Sequence, residues 1–332
     1  MSILYVTADK EESGKTAVCA AVASDLYKLG KSVSIAKLAV SNKKELQSQD
    51  TNLFRNILDN KISAEPLLVS DGNLTANSVK EFEKSVKEII KGKDVLIIED
   101  TSSISSANSA KLSGSVNAAT IFVTKYTPTL DINLLSESSK LFEENLLGII
   151  INGLTLYQGM EVENNLIPEI ESSNLNLLGI VPEDRRLLGV SVLQIIDALD
   201  ASASGDEETY SRLVEHFMIG GFSMDSGEAY FNLRGNKAVV IRGDRPDIQM
   251  SALKTPTACM ILTNGIDPIE YVSHEADLED VPIISTKFDT NEVLNRLHNL
   301  TSDTRFDHIS KVDRFSNLIR DNTAVSNLYS SF

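Results

Sequence analysis

The run Ile3-Leu4-Tyr5-Val6-Thr7-Ala8-Asp9-Lys10-Glu11-Glu12-Ser13-Gly14-Lys15-Thr16, continued by Ala17-Val18-Cys19-Ala20-Ala21-Val22-Ala23-Ser24-Asp25-Leu26, decides how the chain is read. Residues 3–7 are apolar, β-branched or aromatic, which predicts a buried strand. Residues 16–26 are apolar on most faces, which predicts a buried helix. Between the two stand Ser13, Gly14, Lys15 and Thr16. Strand, glycine turn and helix start in that order make a phosphate-binding loop. Backbone N–H groups at the helix N-terminus meet the anion, the lysine reaches the β- and γ-phosphates, and the hydroxyl faces Mg²⁺. The usual pattern has a further glycine five residues before Gly14, and here that position is Asp9. A plain strand–turn–helix corner with Lys15 in solvent would use the same residues.

Strands and helices alternate outward from this stretch. Ser32 to Leu38 predicts a second strand with Lys37 near its C-terminal end. In open α/β sheets ligands bind beyond the strand C-termini, so Lys37 is placed to reach the same pocket as Lys15. Residues 41–75 are less regular; Asp50 to Phe54 opens a short helix, with Asp50 as its cap or as a metal-facing carboxylate. Apolar residues at 79, 82, 86, 89 and 90 predict an amphipathic helix over 77–90. Asp94 to Asp100 is a strand ending in Glu99 and Asp100, where a carboxylate would hold Mg²⁺ in a nucleotide site or else meet solvent. Strands at 119–124, 148–152 and 177–182 each precede a helix, at 131–145, 158–172 and 185–199. This alternation predicts a doubly wound parallel sheet. Asn152, Pro182 and Glu183 fall at strand C-termini on the ligand side, and an Asn amide offers a donor and an acceptor to an adenine edge.

Ala201 to Asp206 has the composition of a linker. A second alternation follows it: strands at 237–241, 258–262 and 281–285, helices at 248–254, 268–279 and 290–300. Gly243-Asp244-Arg245-Pro246-Asp247 lies directly after the first of these strands. Gly243 suits a tight turn, Asp244 a helix cap and Pro246 the first helical turn. Arg245 would present its planar fork to an anion or across an interface, or pair locally with Asp247 or Glu228. Residues 307–332 predict a last helix and a polar tail that frays.

With 332 residues, two domains are expected. Net charge is −16, from 47 acidic and 31 basic side chains. That disfavours nucleic acid and anionic membrane surfaces, which require clustered Lys and Arg. No apolar run reaches the ~18 residues of a membrane span. A strand begins at the N-terminus without a leader, and Cys19 and Cys259 sit in separate apolar runs as reduced thiols, so a cytoplasmic protein is expected. The histidines, His216, His274, His298 and His308, show no ligand spacing.

The stretches Glu12 to Thr16, Ala36-Lys37-Leu38, Val95 to Glu99, Leu147 to Asn152, Leu178 to Arg185 and Gly243 to Gln249 carry a resemblance that spans nearly the whole chain. Residues 1–200 resemble the dethiobiotin-synthetase-like P-loop domain in the N-terminal part of long bacterial phosphate acetyltransferases. Residues 207–305 resemble the DRTGG domain that follows it there, with 201–206 as linker and 306–332 as C-terminal helix and tail. The resemblance implies an α/β P-loop NTPase-like fold and a smaller α/β second domain. It also implies ATP and Mg²⁺ as ligands and a homodimer. Glu12, Ser13, Gly14, Lys15 and Thr16 would bind phosphate, and Lys37 would be the catalytic lysine. Thr16, Asp50 and Glu99 would hold the metal, with Asn152, Pro182 and Glu183 around the base. Gly243, Asp244, Arg245 and Asp247 would serve a second-domain ligand, such as a small-molecule effector, or an interface.

The synthetase pattern has a glycine-rich segment after its strand-end Glu, whereas this chain has Asp100-Thr101-Ser102-Ser103. No acetyltransferase catalytic domain is found within the 332 residues, so acetyl transfer is expected to be absent. Cobyrinic acid amidases are also similar, but Cys259 lies in an apolar run without the glycine elbow of a glutaminase nucleophile. Three readings stand: a regulatory nucleotide-binding protein, an ATP-dependent carboxylate ligase, and a dimeric scaffold that binds no nucleotide.

Overall fold

The computed structural model describes residues 2–40, 54–55, 63–69, 74–101, 103–173, 175–221 and 227–332. The chain divides into two units, one running up to Asp184 and including Phe306–Phe332, the other Arg185–Arg305.

In the first unit, seven strands among the described residues form one sheet. They are β1 (Ser2–Ala8), β2 (Val33–Val40), β3 (Ser63–Val69), β4 (Val95–Glu99), β5 (Ala119–Lys125), β6 (Leu146–Leu154) and β7 (Leu177–Pro182). Their order is β3-β2-β4-β1-β5-β6-β7, and every pairing is parallel. All five residues of β4 are buried, as are Leu4 to Val6 of β1. A parallel sheet covered on both faces requires such continuous apolar runs. Helix α1 (Lys15–Lys28) buries Ala17 through Leu26 because it is packed on two sides. The sheet covers one side, and the C-terminal helix Ile309–Asn322 covers the other.

That C-terminal segment corrects the expected fraying tail. Val312, Phe315 and Ile319 are buried, and so are Val325 and Tyr329 beyond the helix. Asp25 of α1 accepts from Arg320 Nη1 at 2.6 Å and from the Tyr329 hydroxyl at 3.2 Å. Ala324 N–H donates to the Leu178 carbonyl at 2.7 Å, tying the segment to β7. The segment therefore completes the first unit and is not an appendage of the second.

The second unit carries a five-stranded sheet among the described residues, in the order β11 (His216–Gly220), β12 (Lys237–Arg242), β13 (Thr257–Thr263), β14 (Ile283–Ser285), β9 (Ser202–Ser204). The first four are parallel and β9 is antiparallel to β14. Alternation along β12 splits its side chains between two cores: Ala238 and Val240 join one, Val239 and Ile241 the other. Half of the expected linker 201–206 is thus an edge strand, Ser202–Ser204, whose small polar side chains suit an exposed sheet border. The expected helix 185–199 is broken. A 3₁₀ turn (Arg185–Leu188) and strand β8 (Val190–Ser191), paired antiparallel with β10 (Leu213–Val214), precede a helix over Val192–Ala198, which starts at a capping box of Ser191 and Gln194. The unit boundary accordingly falls after Asp184 and not at 200.

Candidate functional site

Strands β2, β4, β1, β5 and β6 run parallel, so their C-terminal ends share one edge of the sheet. The register sets Lys37 beside Glu99, and Glu99 beside Val6, immediately before the loop that joins β1 to α1. Lys37 Nζ lies 3.1 Å from Glu99 Oε1, and Thr16 Oγ1 donates to the same oxygen at 2.7 Å. Glu99 is 2 % exposed, and its other oxygen, Oε2, is buried with no hydrogen-bond partner among the described residues. Lysine, hydroxyl and carboxylate therefore converge where the sequence expects the metal and phosphate.

The loop itself is built for anion contact. Glu12 and Gly14 both have positive φ, 56° and 102°. Gly14 occupies the N-cap of α1, no side chain among the described residues caps the helix, and its first turn holds no acidic residue. The orphan N–H groups and the positive end of the helix dipole are thus left open. A Cβ at Gly14 would stand 2.3 Å from Asn152 Nδ2, so close approach as well as φ requires glycine here. Lys15 is half-buried and makes no ion pair or hydrogen bond among the described residues.

Two features of the loop were not legible in the sequence. Asp9, standing where the usual pattern has glycine, is a staple: Thr124 Oγ1 of β5 donates to Oδ2 at 3.0 Å and Ser13 Oγ to Oδ1 at 3.4 Å. Its partner lies 115 residues away, and only the sheet order brings it near. Asp100, expected as part of the segment that replaces the glycines, is buried. It accepts from Thr7 Oγ1 at 2.5 Å and from Thr101 N–H at 2.8 Å. Burial pushes its carboxyl up, against the Thr7 hydrogen bond and the Lys15 charge. Asp100 therefore holds β1 to β4.

Asn152 is brought to the loop, where its Nδ2 donates to the Ser13 carbonyl at 3.0 Å. It tethers the phosphate loop to β6. Pro182 ends β7, and Glu183 is exposed with its N–H bonded to the Leu154 carbonyl at 2.8 Å. Asp50 lies outside the described residues. Among those residues no group of three or more His, Cys, Asp or Glu side chains could hold a metal, so Thr16 and Glu99 are the only expected metal residues that can be placed.

In the second unit, Pro246 opens the helix Pro246–Leu253 as expected. Asp244 does not cap it. Its carboxylate pairs with Arg242, and Arg245 pairs with Asp247 at 2.8 Å. The Arg245 guanidinium is pushed up and the Asp247 carboxyl down by their mutual hydrogen bonds. Both arginines are spent locally, which is the local pairing the sequence also allowed. Gly243 is required by close approach: a Cβ there would lie 2.2 Å from the Ile266 carbonyl oxygen.

An AAA domain model, AAA_26, matches residues 2–190, and a DRTGG domain model matches residues 194–300. Among solved structures, the MinC:MinD cell division complex of Aquifex aeolicus is 18% identical with a TM-score of 0.42, covering 57% of this chain and 84% of that one. FtsY of Mycoplasma mycoides is 19% identical with a TM-score of 0.40, covering 55% and 61%. The CBS and DRTGG regulatory region of Clostridium perfringens pyrophosphatase, complexed with diadenosine tetraphosphate, is 16% identical with a TM-score of 0.32, covering 47% and 74%. The AAA_26 match spans more than half of the chain, which therefore belongs to the AAA_26 family of P-loop domains, with a DRTGG domain following.

Proposed function

We propose that the first unit binds ATP with Mg²⁺ at Glu12–Thr16, and that the chain is a regulatory nucleotide-binding protein without acetyltransferase activity. The observation that carries this reading is the convergence of Lys15, Thr16, Lys37 and the half-satisfied Glu99 on the uncapped start of α1. Thr16 and Glu99 would hold Mg²⁺, which would neutralise phosphate charge when bound. The orphaned Glu99 Oε2 fits such a cation. The Ser13 and Lys15 backbone would cradle the phosphates, while the Asp9 staple and the Asn152 tether keep the loop in shape.

One observation favours a second reading. Lys37 is partly exposed beside Glu99, where an ammonium would stabilise a transferring phosphoryl group, as an ATP-dependent carboxylate ligase needs. Calorimetry with ATP·Mg²⁺ and phosphate-release assays separate the readings. Lys15→Ala removes a charge-assisted contact worth about 1.5–3 kcal/mol, so ATP affinity falls roughly ten- to a hundred-fold. Equal affinity in wild type and variant overturns the site. Turnover dependent on an added metabolite favours the ligase. Absence of ATP binding leaves only a scaffold, whose expected homodimer sedimentation would detect.

A further inference from the structure

The three most exposed large apolar side chains among the described residues stand together: Tyr157 at 97 %, Leu156 at 86 % and Met160 at 76 %. They belong to the 3₁₀ turn Leu156–Gln158 and the helical stretch after it, directly beyond β6. The turn is held from within. Gln158 N–H donates to the Thr155 carbonyl at 3.1 Å, and Thr155 Oγ1 donates to Gln158 Oε1 at 2.9 Å. Its polar side chains thus meet each other, and a ring and two hydrocarbon chains face outward. An exposed apolar patch of this kind marks a place where something binds.

The strand order says what lies beside it. Lys37 and Glu99, on β2 and β4, stand on one side of β1, whereas β6 and β7 stand on the other. A nucleotide carries its phosphates at one end and its base at the other. With the phosphates at Gly14–Thr16 and their metal-bound end toward Glu99 and Lys37, the nucleoside runs the opposite way, over β5 to β6. There the Asn152 amide touches the Ser13 carbonyl of the phosphate loop, and Glu183 N–H on the Leu154 carbonyl joins the ends of β6 and β7. Tyr157 follows Asn152 by five residues, so even an extended chain would hold them no more than roughly 17 Å apart. The turn shortens that distance.

The size of the patch favours a small occupant. A stable protein interface takes about 20–30 residues a side, and this patch has three side chains. A nucleobase is flat, apolar on its faces, and gains by stacking on an aromatic ring whatever its edge carries.

We propose that this turn receives the base of the nucleotide, whose flat face stacks on the Tyr157 ring and the Leu156 side chain. The assignment rests on the nucleotide reading above and adds to it the residues that grip the base.

The full chain is titrated by calorimetry with ATP·Mg²⁺ and with magnesium tripolyphosphate, the base-free probe. Wild type is expected to bind ATP more tightly than tripolyphosphate. The double variant Leu156→Ala, Tyr157→Ala lowers ATP affinity at least fivefold and leaves tripolyphosphate affinity within twofold. Tyr157→Phe, which keeps the ring, binds ATP like wild type. Lys15→Ala weakens both ligands, because it acts on the phosphates. Both side chains are exposed, so the double variant keeps its fold, which circular dichroism checks. If Lys15→Ala weakens ATP but the double variant does not, the nucleotide reading stands and the base assignment falls. Equal loss of ATP and tripolyphosphate in the double variant also overturns it, since the change then acts through the loop. A shift from dimer to monomer in sedimentation with ATP affinity unchanged would make the patch a subunit contact instead. Absence of ATP binding by folded wild type overturns both readings together.

Discussion

Lys237→Met tests the energetics of the second unit at one atom. Lys237 opens β12, is fully buried, and donates from Nζ to the Pro256 carbonyl at 2.8 Å. Burial lowers its pKa from 10.5 to about 8, and no carboxylate offsets that effect. The sign follows from linkage. Below pH 8 both the folded and the unfolded chain hold the proton, and the folded state carries the full cost of a buried charge. Between pH 8 and 10.5 only the unfolded chain holds it, so stability rises with pH. Integrated from pH 7 to 10, the gain is about 2 kcal/mol. Methionine keeps the length and has no proton to lose, so the variant lacks this rise. The two thiols supply the assay. Burial pushes Cys19 well up and Cys259 to about 12, so each reacts only when its own unit opens. Pulse labelling of Cys259 across a urea gradient, read by mass spectrometry at pH 7, 8, 9 and 10, gives the second unit's midpoint. The wild-type curve should climb relative to Lys237→Met above pH 8. Parallel curves would refute the argument and place the ammonium in water.

Three further outcomes are expected. Gly243→Ala should destabilise the second unit by roughly 1–3 kcal/mol in the same Cys259 assay, because its Cβ meets the Ile266 carbonyl. Arg245→Ala breaks only an exposed pair and should leave the midpoint unchanged. Asp25→Ala should lower the Cys19 midpoint by about 1–3 kcal/mol, since it strands the buried Tyr329 hydroxyl.

The sequence disclosed the parallel sheet because its central strands are unbroken apolar runs, which burial on both faces demands. It hid the borders. Strand β3 contains Glu65 and Pro66, which break its apolar pattern within 41–75; it lies at one end of the strand order, where a ladder tolerates proline. Strand β9, Ser202–Ser204, looked like a linker for the same reason: an edge strand needs little apolar surface. The C-terminal helix was visible, but not where it docks, since nothing local in Phe315 or Tyr329 names α1 as their cover. At the candidate site, Lys15, Thr16, Lys37 and Glu99 were legible because each sits at a strand or helix end. The Asp9–Thr124 staple was not, because it depends on β1 and β5 being neighbours.

The division of the chain also orders its synthesis. The first unit is interrupted after Asp184 and resumes at Phe306, with 121 residues (185–305) made in between. At 5–20 residues per second, the ribosome spends roughly 6–25 s on that insertion. Throughout this interval the α1 surface that will receive Phe315 and Arg320 has no cover, and by its end the inserted unit has all its strands. Nascent chains therefore pass through a stage with a finished second unit beside an uncapped phosphate-loop helix, and that exposed helix face is where a holdase would be most needed.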